Sequence, residues 1–191
     1  MVPRVDGKTE LSAGKYVRLV DYAFTDDRNR VRHWEGVERT NCSGAVMIIA
    51  RLLPEDSVLL VRQFRPPTGR KVIEFPAGLL DIPGESVSAA AERELYEETG
   101  YAGKIVRILP KVYSSPGLSG EGVTLVLMTV DSDAYPVAPE THNEDSESIE
   151  VLRVPRQRLA DFLSECQSRG DAVEAKVALA GAMWEKSGFF H

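Results

Sequence analysis

Apolar residues occur in short runs along most of the chain, separated by polar residues that favour turns. Residues 15–24 and 31–40 predict two paired strands near the N-terminus, joined by a polar turn. Residues 44–53 and 58–64 are more continuously apolar, and they predict a buried hairpin. Further strands are predicted at residues 72–75, 104–112, 124–130 and 149–154.

Helical periodicity is clearest between Ser86 and Gly100. Ser86 is a typical N-cap, and Gly100 is typical of the residue that ends a helix. Two more helices are predicted at residues 156–168 and 172–186, with Asp171 as the N-cap of the second. Strands and helices together predict an α/β or α+β fold with a mixed sheet.

The central helix carries several carboxylates on one side. Because a helix turns by about 100° per residue, Glu94 and Glu98 share the side that also holds its apolar residues. Burying unpaired carboxylates is costly, and neighbouring carboxylates raise each other's pKa values. A divalent cation with oxygen ligands removes this cost, so the pattern predicts a metal site flanked by Glu97. The alternative is a solvated helix surface, on which Arg93 and Glu97 form an i,i+4 pair.

The composition is that of an ordinary globular protein. With 191 residues, of which 43% are hydrophobic and 27% charged, the chain suits one domain, with or without a small appendage. The net charge of −6 argues against a nucleic-acid or membrane-surface binder, and no apolar run is long enough to cross a membrane. Cys42 and Cys166 are expected to be free thiols that pack in the fold. Without a signal peptide, we expect a cytoplasmic protein, with the nucleus as an alternative in a eukaryote.

Residues 78–101 resemble the signature box of the Nudix hydrolases, which reads Gly, five residues, Glu, seven residues, then Arg-Glu-apolar-x-Glu-Glu-x-Gly-apolar. The chain matches this pattern from Glu85 to Tyr101. It departs once, because six residues rather than five separate Gly78 from Glu85. We expect the extra residue to bulge outward in a turn without moving the helix. The resemblance implies structural roles for three residues of the box: Gly78, Glu85 and Gly100.

Segments outside the box narrow the resemblance. Residues 62–67 (RQFRPP) and 73–78 (IEFPAG), with Pro116 sixteen positions after Gly100, are similar to the ADP-ribose and ADP-sugar pyrophosphatases of this superfamily. The resemblance implies the Nudix fold, a mixed β-sheet sandwiched between helices and preceded by a small N-terminal antiparallel β-sheet. It implies two domains, residues 1–42 for dimerisation and base binding and residues 43–191 as the Nudix hydrolase domain. It also implies a domain-swapped homodimer.

The resemblance implies Mg²⁺ as the cofactor, with Mn²⁺ as a substitute. Carried over residue by residue, the metal ligands are the Ala77 carbonyl and the carboxylates of Glu94, Glu97 and Glu98, Glu97 being shared or acting through water. Such metals would orient a pyrophosphate and lower the pKa of an attacking water. Arg93 is implied to orient the carboxylates together with Glu85.

A further carboxylate is needed to position or deprotonate that water. The family supplies it from the loop before the last strand, where Glu147 occupies the matching place. In the sequence alone Glu144, Asp145 and Glu150 remain alternatives. The catalytic residues that the resemblance implies are Arg93, Glu97, Glu98 and Glu147.

The same resemblance implies a set of substrate contacts. Tyr16 and Trp34 match positions at which aromatic rings from different subunits sandwich adenine, although Trp34 could instead pack the N-terminal sheet. Arg39 and Arg65 match phosphate ligands, for which surface ion pairs are the alternative. The remaining implied contacts are Glu35 at the adenine amino group, and Gly117 and Leu118 near the terminal ribose.

The function implied by these residues is Mg²⁺-dependent hydrolysis of the pyrophosphate bond of ADP-ribose, giving AMP and ribose 5-phosphate. The expected partner is therefore a small nucleotide sugar, with no nucleic acid and no membrane. Two alternatives stay open. One is a related specificity for other ADP-sugars, UDP-sugars or oxidised guanine nucleoside diphosphates, and the other is a non-catalytic ADP-ribose sensor.

Overall fold

The computed structural model of the protein describes residues 2–142 and 148–184. Three α-helices lie in these ranges: α1 (Val87–Thr99), α2 (Leu159–Ser168) and α3 (Ala175–Trp184). The strands are β1 (Arg4–Ala13), β2 (Val17–Thr25), β3 (Val31–Arg39), β4 (Ala45–Leu53), β5 (Ser57–Arg65), β6 (Arg70–Glu74), β7 (Ala77–Leu79), β8 (Lys104–Ile108), β9 (Val112–Tyr113), β10 (Gly122–Asp131), β11 (Ile149–Pro155) and β12 (Ala172–Val173). Short 3₁₀ turns occur at Pro66–Thr68, Ser132–Ala134 and Arg156–Arg158.

The N-terminal strands form a separate antiparallel sheet in the order β1-β2-β3. Strands β2 and β3 confirm the two predicted strands, whereas β1 was not predicted. Every residue of β1 is exposed. Because β1 has no buried face, its sequence lacks the alternation of apolar and polar residues that predicts a strand. A polar cluster joins the three strands, because the Glu38 carboxylate accepts hydrogen bonds from Lys8, Arg18 and Tyr22. These hydrogen bonds lower the pKa of Glu38 to about 2, and the hydrogen bond from Lys8 has the largest effect.

The larger sheet is mixed and has the order β12-β6-β5-β4-β10-β8, with β11 on β5, β7 on β4 and β9 on β10. Alternate residues of β4 face opposite sides, as the two-residue period of a strand requires. Met47 and Ile49 pack with residues of α2 and α3, while Val46 and Ile48 pack with residues of α1. The predicted mixed sheet between helices, preceded by a small antiparallel sheet, is therefore confirmed. The domain boundary at residue 42 stays a prediction.

The predicted hairpin of β4 and β5 is correct only at its turn. The two strands pair at Arg51–Val58 and Leu52–Ser57 and then diverge. Beyond that point, the edge of β5 that faces β4 at the turn pairs with β6 instead. The corresponding edge of β4 pairs with β7. Pro76 lies between β6 and β7, and its carbonyl accepts from the Ile48 amide of β4 at 2.7 Å. Because proline has no N–H to continue the β6 ladder, the chain crosses here from one strand to the other.

Two predictions near the C-terminus need correction. Asp171 does not cap the last helix, because its carboxylate accepts a bidentate pair from Arg62. Residues 172–173 form β12 beside β6, and α3 begins only at Ala175. Glu174 takes the capping role, since its carboxylate accepts from the amides of Lys176 and Val177. A prediction from the middle of the chain also needs correction. The single strand predicted at 104–112 is divided into two strands, β8 and β9.

Cys42 and Cys166 are free thiols, as the sequence predicts. Burial raises the pKa of both, so both thiols are protonated at neutral pH. Among the helices in the described part of the chain, none is long and apolar enough to span a membrane.

Gly100, at the end of α1, lies against the backbone of Glu140, and substitution of Gly100 tests this contact. Its φ is +74°, and a Cβ placed on it would lie 2.2 Å from the Glu140 carbonyl oxygen. Gly84 has a similar φ of +81° but has nothing within 4 Å of such a Cβ. We expect Gly84→Ala to lower the free energy of unfolding by about 1 kcal/mol, the cost of a left-handed alanine. Gly100→Ala should lower it by about 3 kcal/mol, because a steric overlap is added.

Urea denaturation of both variants beside the wild type measures these losses. Equal losses for the two alanine variants would show that the contact with Glu140 contributes nothing.

Candidate active site

Helix α1 carries the candidate carboxylates into a cleft. The Ser86 hydroxyl accepts from the Ala89 amide at 3.1 Å, and Gly100 ends the helix in the left-handed conformation. Both predicted ends of the helix are thus confirmed. Glu98 is 5% exposed and lies on the side that holds Ala91 and Leu95, as the helical spacing predicts. The glutamates differ in exposure, because Glu94 is largely buried and Glu97 is 42% exposed.

Gly78 of β7 lies directly beneath the Glu94 carboxylate. A Cβ on Gly78 would lie 1.8 Å from the Glu94 Cδ, so no larger residue fits while Glu94 keeps this position. The four residues from Asp81 to Gly84 are exposed. The six-residue spacing before Glu85 is therefore accommodated at the surface, and Gly78 still reaches α1.

Arg93 connects the acidic residues around the cleft. Its Nε and Nη2 donate to the two carboxylate oxygens of Glu85 at 2.9 and 3.0 Å. Its Nη1 donates to Glu94 at 2.7 Å and to Glu97 at 3.0 Å. The hydrogen bonds from Arg93 lower the pKa of Glu85 below its usual value. One guanidinium thus fixes three carboxylates, which is the arrangement that the predicted orienting role requires.

All four residues predicted to hold a metal, Ala77, Glu94, Glu97 and Glu98, line the cleft. The Glu98 carboxylate accepts from the Ala77 amide at 3.1 Å, which places the peptide of Ala77 beside α1. Within residues 2–142 and 148–184, no three His, Cys, Asp or Glu side chains are already arranged to hold a metal ion. Glu94 and Glu97 are both turned toward Arg93. Three carboxylates and a peptide carbonyl nevertheless form an all-oxygen donor set that fits a hard divalent cation.

The cleft has a volume of about 670 Å³, which is large enough for a nucleotide-sized ligand. Eight of the predicted site residues line it: Arg39, Arg65, Ala77, Gly78, Arg93, Glu94, Glu97 and Glu98. Seven predicted residues lie elsewhere in the described structure: Tyr16, Trp34, Glu35, Glu85, Gly100, Gly117 and Leu118. Glu147 and its alternatives Glu144 and Asp145 lie outside the described residues.

The charges that line the cleft are unbalanced. Three arginines face five carboxylates, namely Asp81, Glu94, Glu97, Glu98 and Glu121, so the described lining has a formal charge of −2. Such a surface repels a phosphate-bearing ligand unless cations accompany it. The charge distribution therefore supports the interpretation of the carboxylates as metal ligands.

Both arginines predicted to bind phosphate are themselves paired with carboxylates. Arg39 Nε donates to Glu121 at 2.5 Å, and Arg65 Nε donates to Glu74 at 2.8 Å. Within the described residues, the Nη groups of Arg39 and Arg65 have no hydrogen-bond partner. In both residues the outer edge of the guanidinium therefore keeps its donors for a ligand.

The predicted base-binding residues lie on the N-terminal sheet, and a second loop contacts them. The Trp34 indole donates to the Gly117 carbonyl at 2.9 Å, and the Val37 amide donates to the Leu118 carbonyl at 2.7 Å. Trp34 is 55% exposed and lies opposite Tyr22 in the β2–β3 pair. Tyr16 is also exposed, and its carbonyl accepts from the Thr40 amide at the other end of β3.

The sequence did not predict six of the residues that line the cleft, and two of these, Glu121 and His142, make contacts with predicted site residues or their neighbours. Glu121 reaches it through its pair with Arg39, which is 82 positions away. His142 stacks on Tyr96 with a centroid distance of 4.6 Å, and its amide donates to the Glu97 carbonyl at 2.8 Å. Neither residue belongs to a helical or strand periodicity, so the local sequence carries no signal for it.

Comparison with known proteins gives concordant results. The model of the NUDIX domain matches residues 43–170. The ADP-sugar pyrophosphatase of Mus musculus is 37% identical over 183 residues, which cover 90% of this chain and 82% of the mouse protein. The ADP-ribose pyrophosphatase of Saccharomyces cerevisiae is 37% identical over 177 residues, covering 88% and 76%. A crystal structure of ADP compounds hydrolase has the same fold, with a TM-score of 0.71 at 24% identity over 95% of this chain and 93% of that one.

The contact between Gly78 and Glu94 can be tested by metal binding. We expect Gly78→Ala to weaken the binding of Mn²⁺ by at least about tenfold, because the new Cβ displaces the Glu94 carboxylate from its position. Electron paramagnetic resonance of free Mn²⁺ measures this affinity. Gly7→Ala is the matched control, since nothing lies within 4 Å of a Cβ on Gly7. Unchanged Mn²⁺ affinity in Gly78→Ala, with circular dichroism like that of the wild type, would contradict the assignment.

Proposed function

Because the chain belongs to the NUDIX family, we propose that it hydrolyses the pyrophosphate bond of ADP-ribose, giving AMP and ribose 5-phosphate, with Mg²⁺ as cofactor. Members of this family generally use divalent metal ions. Mn²⁺ is proposed as a substitute. A cytoplasmic location is part of the proposal, and the two free thiols agree with a reducing compartment.

One observation carries the proposal. Three glutamates of a single helix share one cleft with two arginines whose Nη groups are available to a phosphate. The relatives from mouse and yeast, whose names specify ADP-sugar and ADP-ribose pyrophosphatases, match nearly the whole chain. Their names favour an adenine nucleotide over the UDP-sugars and guanine nucleotides that the sequence left open.

The predicted site residues that line the cleft would divide the tasks of such a reaction among them. Glu94, Glu97, Glu98 and the Ala77 carbonyl would hold the metal ions, and bound metal would supply charge neutralisation for the pyrophosphate and a lowered pKa for a water. Arg93 keeps Glu94 and Glu97 facing the cleft. Arg39 and Arg65 would bind phosphate oxygens and stabilise the charge that develops when the bond breaks.

Glu147 is proposed to position or deprotonate the attacking water. The described structure bears on one of its competitors, because Glu150 lies on β11 and its carboxylate accepts from Arg62 at 2.9 Å. Glu150 does not line the cleft within the described residues. This ion pair makes Glu150 the less suitable base.

Hydrolysis can be measured directly with purified protein. We expect ADP-ribose and Mg²⁺ to give AMP and ribose 5-phosphate in equal amounts, and chelation by EDTA to abolish the reaction. Glu98→Gln should lower kcat by at least about 10²-fold, because a buried ligand loses its charge. Chromatography of the products provides the assay.

Glu165→Gln is the control, since Glu165 lies on the exposed face of α2 and, among the described residues, its carboxylate pairs with Arg158 alone. A wild-type protein that binds ADP-ribose tightly but cleaves no dinucleotide or nucleotide sugar would be a sensor, and the enzymatic proposal would be wrong.

We also propose the domain-swapped homodimer. In the N-terminal sheet Val17 pairs with Arg39, whereas Trp34 pairs with Tyr22. Tyr16 and Trp34 of one chain are therefore separated by about six residues of strand, or roughly 20 Å. One chain alone cannot place both rings on the same base, which supports a site completed by a second copy. Exposed apolar residues on this sheet, including Val5 and Val31, favour such an interface.

Subunit complementation tests this proposal. Tyr16→Ala and Trp34→Ala should each raise KM by about tenfold, because one stacking ring is lost. Mixing the two variants under conditions of subunit exchange should restore up to about a quarter of the wild-type sites, since each mixed dimer contains one intact site. Sedimentation equilibrium should give twice the chain mass of 21.1 kDa. No recovery on mixing, or a monomer at micromolar concentration, would contradict the proposal.

A further inference from the structure

We infer that Glu121 is a positioning residue for the phosphate site, where it holds Arg39 by its Nε edge so that the Nη groups face the bound pyrophosphate. This inference rests on the proposed function, in which Arg39 binds phosphate. Glu121 lies outside the signature box, on the segment between β9 and β10. It acts through Arg39 rather than on the reacting atoms.

The geometry of the ion pair separates the two edges of the guanidinium. Arg39 Nε lies 2.5 Å from Glu121 Oε1. A guanidinium is planar and rigid, so fixing the Nε–H direction also fixes the plane that contains both Nη groups. Arg39 is 43% exposed, and without this partner its long side chain would populate several rotamers. The pair therefore removes motion that phosphate binding would otherwise have to remove.

Glu121 can hold Arg39 only if it is itself fixed, and the neighbouring backbone provides this. Gly122 follows it, and the side chain of Lys111 occupies the space of a Gly122 Cβ, with its Cδ at 2.1 Å. The Gly122 carbonyl oxygen lies only 2.8 Å from the position of a Cβ on Gly44, so β4 and the start of β10 are in close contact. The Glu121 amide also donates to the Ser119 hydroxyl at 3.1 Å.

Arg65 shows the same arrangement with one informative difference. Its partner Glu74 lies on β6 and is not part of the cleft lining, whereas Glu121 is. The Glu121 carboxylate therefore faces the region where an anionic ligand binds, and by Coulomb's law it opposes binding. The orientation of Arg39 works against this cost. Charge and orientation thus have opposite effects on affinity, and substitutions can separate them.

A double-mutant cycle with Arg39 tests the inference. We expect Glu121→Ala to lower kcat/KM for ADP-ribose about tenfold, mainly through KM, because a charge-assisted hydrogen bond that orients Arg39 is lost. Glu121→Gln retains an acceptor for Nε and should lose only about threefold. In the Arg39→Ala background, neither substitution should lower kcat/KM further. Calorimetry with α,β-methylene ADP-ribose and Mg²⁺ should give parallel changes in Kd.

Two results of this double-mutant cycle would contradict the role of Glu121. Losses that add to that of Arg39→Ala would show that Glu121 acts on the substrate itself, and the inference would be wrong. It would also be wrong if Glu121→Ala bound the analogue as tightly as the wild type or more tightly, because the carboxylate would then only repel the ligand. If Glu121→Ala does not fold, the Glu121→Gln arm of the same cycle decides.

Glu165→Ala is the matched control, because it removes a surface carboxylate from an arginine pair on α2. It should leave kcat/KM and Kd unchanged. Wild-type hydrolysis of ADP-ribose tests the proposed function separately. A wild type that neither cleaves ADP-ribose nor binds the analogue would overturn the proposed function, whereas an active wild type with additive losses would overturn only the role of Glu121.

Discussion

The divergence of β4 from β5 is the constraint on which the cleft depends. The strands share two residue pairs at their turn, and β6 and β7 then occupy the gap between them. The crossing at Pro76 brings the backbone of Ala77 and Gly78 onto β4, directly beneath α1. Because Gly78 has no side chain, the Glu94 carboxylate can lie against this backbone. A fully paired hairpin would leave no space for the wall that carries the candidate ligands.

Electrostatics determines how this cleft can bind a ligand. The lining contains more carboxylates than arginines, and each of its arginines is held by at least one carboxylate. An arginine paired through its Nε keeps its outer donors and loses conformational freedom. The arrangement therefore suits a ligand that arrives with divalent cations and binds between preformed guanidinium edges. Arg93 serves the carboxylates of α1 in a different way, because its side-chain partners within the described residues are all acidic residues of the box.

The N-terminal sheet depends on polar contacts more than on a core of its own. Glu38 joins its three strands through hydrogen bonds from Lys8, Arg18 and Tyr22. Contacts from Trp34, Val37 and Arg39 attach β3 to the segment from Gly117 to Glu121. One strand thus connects the predicted base-binding surface to the cleft.

The sequence by itself determined the features that depend on neighbouring residues. Ser86, Gly100 and the four-residue spacing of Glu94 and Glu98 specified α1, its ends and the side that holds the carboxylates, since helix geometry and caps are local. Only the tertiary structure decided the pairing of β1, the divergence of β4 from β5, and the pair of Arg39 with Glu121. These features join residues far apart in the chain, and their energies arise from contacts that no local periodicity records. Asp171 illustrates the difference, because its position suggested a helix cap, whereas Arg62, 109 positions away, binds it instead.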